Sequence, residues 1–165
     1  MSAAGDHPPG DPIRINGEVA VTTRALTVVT LGVADVGVSA RFYAALGFTR
    51  KVRATGDEIA FFQAGGVVLA LWDWDKLAAD AALPPGPRPE AFRGTTLAWN
   101  CVSTEEVDAV FAHALTVGAE ALRRPEATDY GGYRGYFADP DGHVWEVVQA
   151  PGFVFAADGG LVLPE

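Results

Sequence analysis

Val33-Ala34-Asp35, followed by Val38, Phe42, Ala45 and Gly47, returns later in the chain as Val102-Ser103-Thr104, Val107, Phe111, Ala114 and Gly118. The displacement is roughly 70 residues, too long for a solenoid unit, and it occurs twice. One strand-helix unit has been copied, and the two copies are expected to pack as halves of one domain. Asp35 is a good N-cap for a helix whose Val38, Phe42, Ala45 and Leu46 recur on one face, and Gly47 closes it. In the second copy Ser103 and Glu106 stand at capping-box spacing before Val107, Val110, Phe111 and Ala114, and Gly118 ends the helix.

Working outward from the helices, short strand-like runs follow each one. After the first come 48–52, 58–63 and 67–72; after the second come 121–124, 134–138 and 144–149. Leu26 to Val33 and Thr95 to Val102 supply the leading strands, so each copy reads β-α-β-β-β. Asp139-Pro140-Asp141-Gly142 is a tight-turn sequence between the last two strands. A short helix fits 73–82, and the proline-rich stretch from Leu83 to Pro89 cannot continue as helix or central strand. The expected organisation is a flexible tail over 1–24 with a short strand at 18–22, a first module over 25–82, a linker over 83–93, a second module over 94–150 and an extension over 151–165. Phe153, Phe155, Leu161 and Leu163 are expected to pin that extension onto a sheet.

With 165 residues, 49% of them hydrophobic, the chain can bury a substantial core in one domain. A formal net charge of -9 without any Lys/Arg cluster works against nucleic acid and anionic lipid as partners. The single cysteine, Cys101, sits in an apolar run without an adjacent base, and reads as a buried, unreactive thiol. Neither a secretory leader nor a membrane span is recognisable, so a cytoplasmic protein is expected.

Thr30-Leu31-Gly32-Val33-Ala34-Asp35, Ser39-Ala40-Arg41-Phe42-Tyr43 and Leu46-Gly47-Phe48, with Tyr136-Phe137-Ala138-Asp139-Pro140-Asp141-Gly142-His143-Val144-Trp145-Glu146-Val147, resemble the vicinal oxygen chelate superfamily. This superfamily includes glyoxalase I, extradiol dioxygenases and bleomycin-sequestering proteins. The resemblance covers about 26–151 and implies an α+β fold, two β-α-β-β-β modules forming a curled mixed sheet around a central cavity. It also implies frequent pairing into homodimers. In metal-dependent members the first and last strand of each module each donate one ligand to a divalent ion.

Carried over residue by residue, those ligand positions fall on Val28 and Leu97, which cannot bind a cation, and on a run from Gly66 to Trp72 without any ligand atom. Only Glu146 retains a donor, so neither a metal nor another cofactor is expected. His7, His113 and His143 are not expected to converge. The cup is expected to be lined by Val28, Thr30, Leu69, Leu97, Trp99, Tyr133 and Glu146, with Trp99 facing inward beside Leu97 and Cys101 while Asn100 turns outward. The glycine-rich loop from Asp129 to Gly135 offers Tyr130 and Tyr133 as a rim.

Three functional readings follow. The first is a protein that binds a small organic molecule, aromatic or planar, in an apolar cavity, as bleomycin-sequestering relatives do. The second is a metal-independent lyase, isomerase or dioxygenase-like enzyme in which Glu146 acts as general base, assisted by Tyr130 or Tyr133. The third is a non-catalytic interaction module whose dimer interface is the function. Glu146 itself has a structural alternative, an ancestral ligand kept as a strut hydrogen-bonded to a Tyr or Asn across the cavity.

Overall fold

The computed structural model describes residues 13–15, 19–21, 25–84, 86–89, 91–157 and 159–163. Strands β1 (Ile13–Ile15) and β2 (Val19–Val21) pair antiparallel, and β2 falls within the strand expected at 18–22. The other residues of the expected tail up to Arg24, His7 included, lie outside the described residues.

The first module runs β3 (Val28–Val33), α1 (Val36–Ala45), β4 (Thr49–Lys51), β5 (Ile59–Ala64), β6 (Val67–Asp73) and α2 (Trp74–Asp80). The second runs β7 (Thr96–Asn100), α3 (Thr104–Thr116), β8 (Glu120–Ala127), β9 (Tyr133–Ala138) and β10 (Val144–Gln149). Each module makes one four-stranded mixed sheet, in the orders β3-β6-β5-β4 and β7-β10-β9-β8. The α+β class and the duplicated β-α-β-β-β plan are therefore both present.

Local chemistry sets the helix limits. The Asp35 carboxylate accepts from the Val38 amide at the start of α1, and Ser103 accepts from the Glu106 amide at the start of α3. Glu106 in turn accepts from the Val102 amide at 2.7 Å, so the expected capping box forms with its return bond one residue early. Gly47 and Gly118 follow the two helices at φ of +111° and +110°, a left-handed conformation that favours glycine.

The parallel pairs β3/β6 and β7/β10 are in matching register, with Val28 opposite Val68 and Thr96 opposite Val144. Because Asp35 and Ser103 hold equivalent caps, Val28 corresponds to Thr96, and Ala70 corresponds to Glu146. This corrects the sequence-based pairing of Val28 with Leu97.

Each sheet has an inner face, which carries the core, and an outer face. On the inner faces lie Leu31, Val33, Phe62, Leu69 and Leu71 of the first sheet and Phe137, Trp145 and Val147 of the second. Tyr43 of α1 joins them: its ring centroid is 6.0 Å from Phe62 and 6.0 Å from Trp145. Phe48 lies 5.3 Å from Trp99 and 5.7 Å from Trp145. One hydrophobic core therefore fills the space shared by the two inner faces, and both outer faces look away from it. Full burial of rings such as Phe62 and Phe137 contributes about 1.5–3 kcal/mol each.

The extension pairs β11 (Val154–Phe155) with β12 (Leu161–Val162). Phe155 and Leu161 are partners in that pair, and Phe153, Phe155, Leu161 and Leu163 remain 37–66% exposed instead of being buried against a module sheet.

Candidate ligand-binding site

The hairpin that joins β9 to β10 carries the chemistry. Asp139-Pro140-Asp141-Gly142 closes it, with Gly142 at φ +80° and its amide donating to the Asp139 carbonyl at 3.0 Å. The turn sets Ala138 opposite Val144, which places Tyr136 directly opposite Glu146. The Tyr136 hydroxyl donates to Glu146 Oε1 at 2.7 Å. Desolvation, followed by the bond to Glu146 and its charge, raises the Tyr136 pKa above that of an ordinary phenol, so Tyr136 keeps its proton and acts as the donor. Glu146 is thus bonded to a tyrosine on the neighbouring strand of its own sheet and not to one across a cavity, and its second carboxylate oxygen accepts no hydrogen bond among the described residues.

The face around that pair follows from register. Ala98 flanks Glu146 on β7, Asn100 flanks Val148, and Arg134 opposes Val148 from β9. Arg134 lies over the Tyr136 ring, 5.4 Å from its centroid. On the first sheet the outer face carries Val28, Val68, Ala70, Phe61 and Trp72, with Thr30 and Gln63 among them. One outer face is therefore mainly apolar and the other polar.

Strand alternation separates the expected lining into two groups. Val28, Thr30 and Glu146 lie on outer faces; Leu69, Leu97, Trp99 and Tyr133 do not. Leu69 is 3% exposed in the core, because it pairs with Val29 and Phe62 on the helix-covered side. Leu97 and Trp99 oppose Trp145 and Val147, so they face the shared core, where Trp99 meets Phe48, and Asn100 shares the face of Glu146 instead of turning away from it. Tyr133 sits three residues from Tyr136 on the same strand and hence on the opposite face; its hydroxyl donates to Asp108 of α3 at 3.0 Å. It cannot assist Glu146. Tyr130 is exposed at the tip of the β8–β9 turn, close enough to Tyr136 to raise the latter's pKa slightly.

The rest of the signature ties the modules together. Asp139 Oδ2 accepts the Tyr43 hydroxyl at 2.7 Å, while its Oδ1 accepts the amides of Asp141 and His143 at 2.9 and 2.8 Å. The Tyr43 oxygen accepts from Trp145 Nε1 at 3.1 Å. Asp141 accepts the Ala34 amide and the Ser39 hydroxyl, both at 2.6 Å, at the start of α1. His143 Nε2 stands 2.8 Å from the Gly32 carbonyl, which requires an Nε2–H donor, and its Nδ1 lies 3.2 Å from Arg93. His113 bridges α3 to the Ala45 carbonyl at 2.8 Å. Both histidines act as struts between the modules and stand apart from the Glu146 face.

The residues do not fit a divalent ion. At the four equivalent strand positions stand Val28, Ala70, Thr96 and Glu146, which offer one carboxylate and one hydroxyl, short of the three or more protein ligands such an ion needs. Among the described residues there is no group of three His, Cys, Asp or Glu side chains placed to hold one. Two cavities lie away from Glu146: an open polar cleft of about 500 Å³ at the start of α1, lined by Asp35, Arg41, Asp57, Glu58, Asp73 and Lys76, and a pocket of about 40 Å³ beside His143.

Cys101 is buried, and desolvation together with the nearby Glu106 pushes its thiol up to about 12. In the native protein it should therefore resist Ellman's reagent at pH 8 for hours and react within minutes once guanidinium unfolds the chain. Rapid native labelling would contradict this burial.

A profile of the Glyoxalase/Bleomycin resistance protein/Dioxygenase superfamily matches residues 25–147, and the chain belongs to that superfamily. It is 35% identical to a glyoxalase-related enzyme from Fulvimarina pelagi, with a TM-score of 0.77 over 87% of this chain and 100% of the other. A glyoxalase/bleomycin resistance protein/dioxygenase from Nocardioides is 27% identical, with a TM-score of 0.66 over 81% of this chain and 89% of that one. A lactoylglutathione lyase from Agrobacterium tumefaciens shares the fold at 22% identity and a TM-score of 0.59, covering 77% and 94% of the two chains. The comparison with curated proteins finds no match. Among the described residues no helix is long and apolar enough to cross a membrane.

Proposed function

We propose that this chain binds a small organic ligand, aromatic or planar, between the polar outer face of its second module and the apolar outer face of the first module of a second copy. The observation that carries this reading is the Tyr136–Glu146 pair, a carboxylate with one open oxygen on a face the core does not use. Within one chain the two outer faces look away from the shared core, so both walls become available to one ligand when two copies pair. An apolar wall with a few polar anchors suits an organic molecule. A cytoplasmic location and homodimerisation belong to this proposal.

Sedimentation velocity at micromolar concentration should show a dimer. Thr30→Arg, on the outer face of the first sheet, should dissociate it and weaken binding of a neutral aromatic probe such as 6-hydroxy-2-naphthamide about tenfold with little change in Tm. A monomeric wild type that binds the probe with full affinity would refute the composite cleft. Elemental analysis of protein purified without chelators checks the metal-free part, and a stoichiometric transition metal would overturn it.

The enzymatic alternative has its own support, since Tyr136 retains a proton beside a carboxylate able to accept one. Glu146→Gln separates the readings. If Glu146 only packs against Tyr136 the probe affinity stays within a few-fold, whereas if it is the general base turnover vanishes.

A further inference from the structure

We propose that the ligand is an organic hydroxy acid whose carboxylate is held by Arg134 while its hydroxyl donates to Glu146. This inference rests on the ligand-face reading above and adds the ligand's charge.

Arg134 projects from β9 on the same outer face as Tyr136 and Glu146. Its guanidinium is already ordered, lying over the Tyr136 ring, and Tyr136 is itself fixed by Glu146. Yet Arg134 Nη1 is buried and has no hydrogen-bond partner among the described residues. A buried donor left unpaired is costly, and a positioned guanidinium is matched in geometry by a carboxylate.

Its nearest anion does not meet that need. Glu126 lies 3.8 Å from Arg134 Nη1, beyond hydrogen-bond distance, and its Oε1 is already taken by Arg123 Nε at 2.6 Å. The Arg134 side chain is only 19% exposed, whereas Glu126 is 49% exposed. The pairing therefore leaves Nη1 short of an acceptor among the described residues.

Spacing supplies the second half of the ligand. Arg134 opposes Val148, Tyr136 opposes Glu146, and so Arg134 and Glu146 are diagonal neighbours. Such positions are roughly 7–8 Å apart at the backbone, a span that the two functional groups of one small molecule can bridge. The open oxygen of Glu146 accepts and does not donate, which selects a hydroxyl over a second anionic group. The chain as a whole carries a net charge of -9, so an anionic ligand is repelled except where a cation has been built to receive it.

Calorimetric titration of the full chain with 6-hydroxy-2-naphthoate, whose hydroxyl and carboxylate stand at opposite ends of the ring system, and with its neutral amide, 6-hydroxy-2-naphthamide, tests this. The wild type should bind the acid about tenfold more tightly than the amide. Arg134→Gln should bring the two within about twofold of each other without weakening the amide, and Arg134→Lys should restore part of the preference. In parallel, the amide resonances of Gly135 and Val148 should shift with the acid in the wild type, a measurement that needs no variant to fold.

Equal affinity for acid and amide in the wild type, or a preference that survives Arg134→Gln, overturns the carboxylate anchor and leaves the ligand-face reading intact. Failure of the wild type to bind either compound overturns the ligand-face reading, and this inference with it.

Discussion

Asp139→Ala is expected to destabilise the protein by about 3 kcal/mol, seen in urea unfolding as a lower midpoint with an unchanged slope and in heating as a Tm lower by roughly 6–12 °C. The carboxylate is 4% exposed and accepts three hydrogen bonds, from the Tyr43 hydroxyl and from the amides of Asp141 and His143. Truncation leaves those donors without a partner in a site that water does not reach, and it unties the β9–β10 turn from α1. Asp139 also has a raised pKa, chiefly through desolvation, against the opposing pull of the Tyr43 bond and the His143 charge. A carboxyl whose folded pKa lies above its unfolded value favours the folded state most at low pH. The advantage of the wild type over Asp139→Ala should therefore shrink as pH rises from about 4 through the folded pKa. A cost below about 1 kcal/mol at every pH would show that the clasp does not bind the modules together.

The second large effect separates the two faces of the first sheet. Leu69→Ala should cost about 2–5 kcal/mol, because a buried side chain on the inner face leaves a cavity in a core shared by both modules. Val28→Ser, on the outer face and 43% exposed, should cost about 0.5 kcal/mol or less. Chemical denaturation of the two variants under one set of conditions decides the matter. Equal costs would place Leu69 and Val28 on a common surface and restore the lining expected from sequence.

The duplicated plan was legible because it is written in local chemistry: Asp35 and Ser103 as caps, Gly47 and Gly118 as stops, and the Asp139–Gly142 turn. The lining was not, and the reason is the two-residue period of a strand. Aligning Val33 with Val102 slipped the second copy by one residue, since Val102 lies in the bend after β7 and not within it. A slip of one exchanges faces, which puts Leu97 and Trp99 in the expected cup and Asn100 outside it. Leu69 was misplaced for another reason. It belongs to the run from Val67 to Trp72 on a central strand, apolar on both faces, where alternation carries no signal.

Tyr136 and Arg134 could have been found. The four-residue turn fixes the β9–β10 register, and counting back from it sets Tyr136 opposite Glu146 and Arg134 opposite Val148. Tyr133 drew the attention instead because it borders a glycine-rich loop, although its strand position directs it toward Asp108.

Placing α1, α3 and the aromatic side chains of the shared core on one side of each sheet has a further effect. The opposite surfaces become a chassis whose fittings can be exchanged. On the proposed ligand-face reading, replacing Thr30, Ala98, Asn100 or Arg134 would alter what the protein recognises while the scaffold beneath keeps its contacts, so a single architecture could be retooled for chemically unrelated guests.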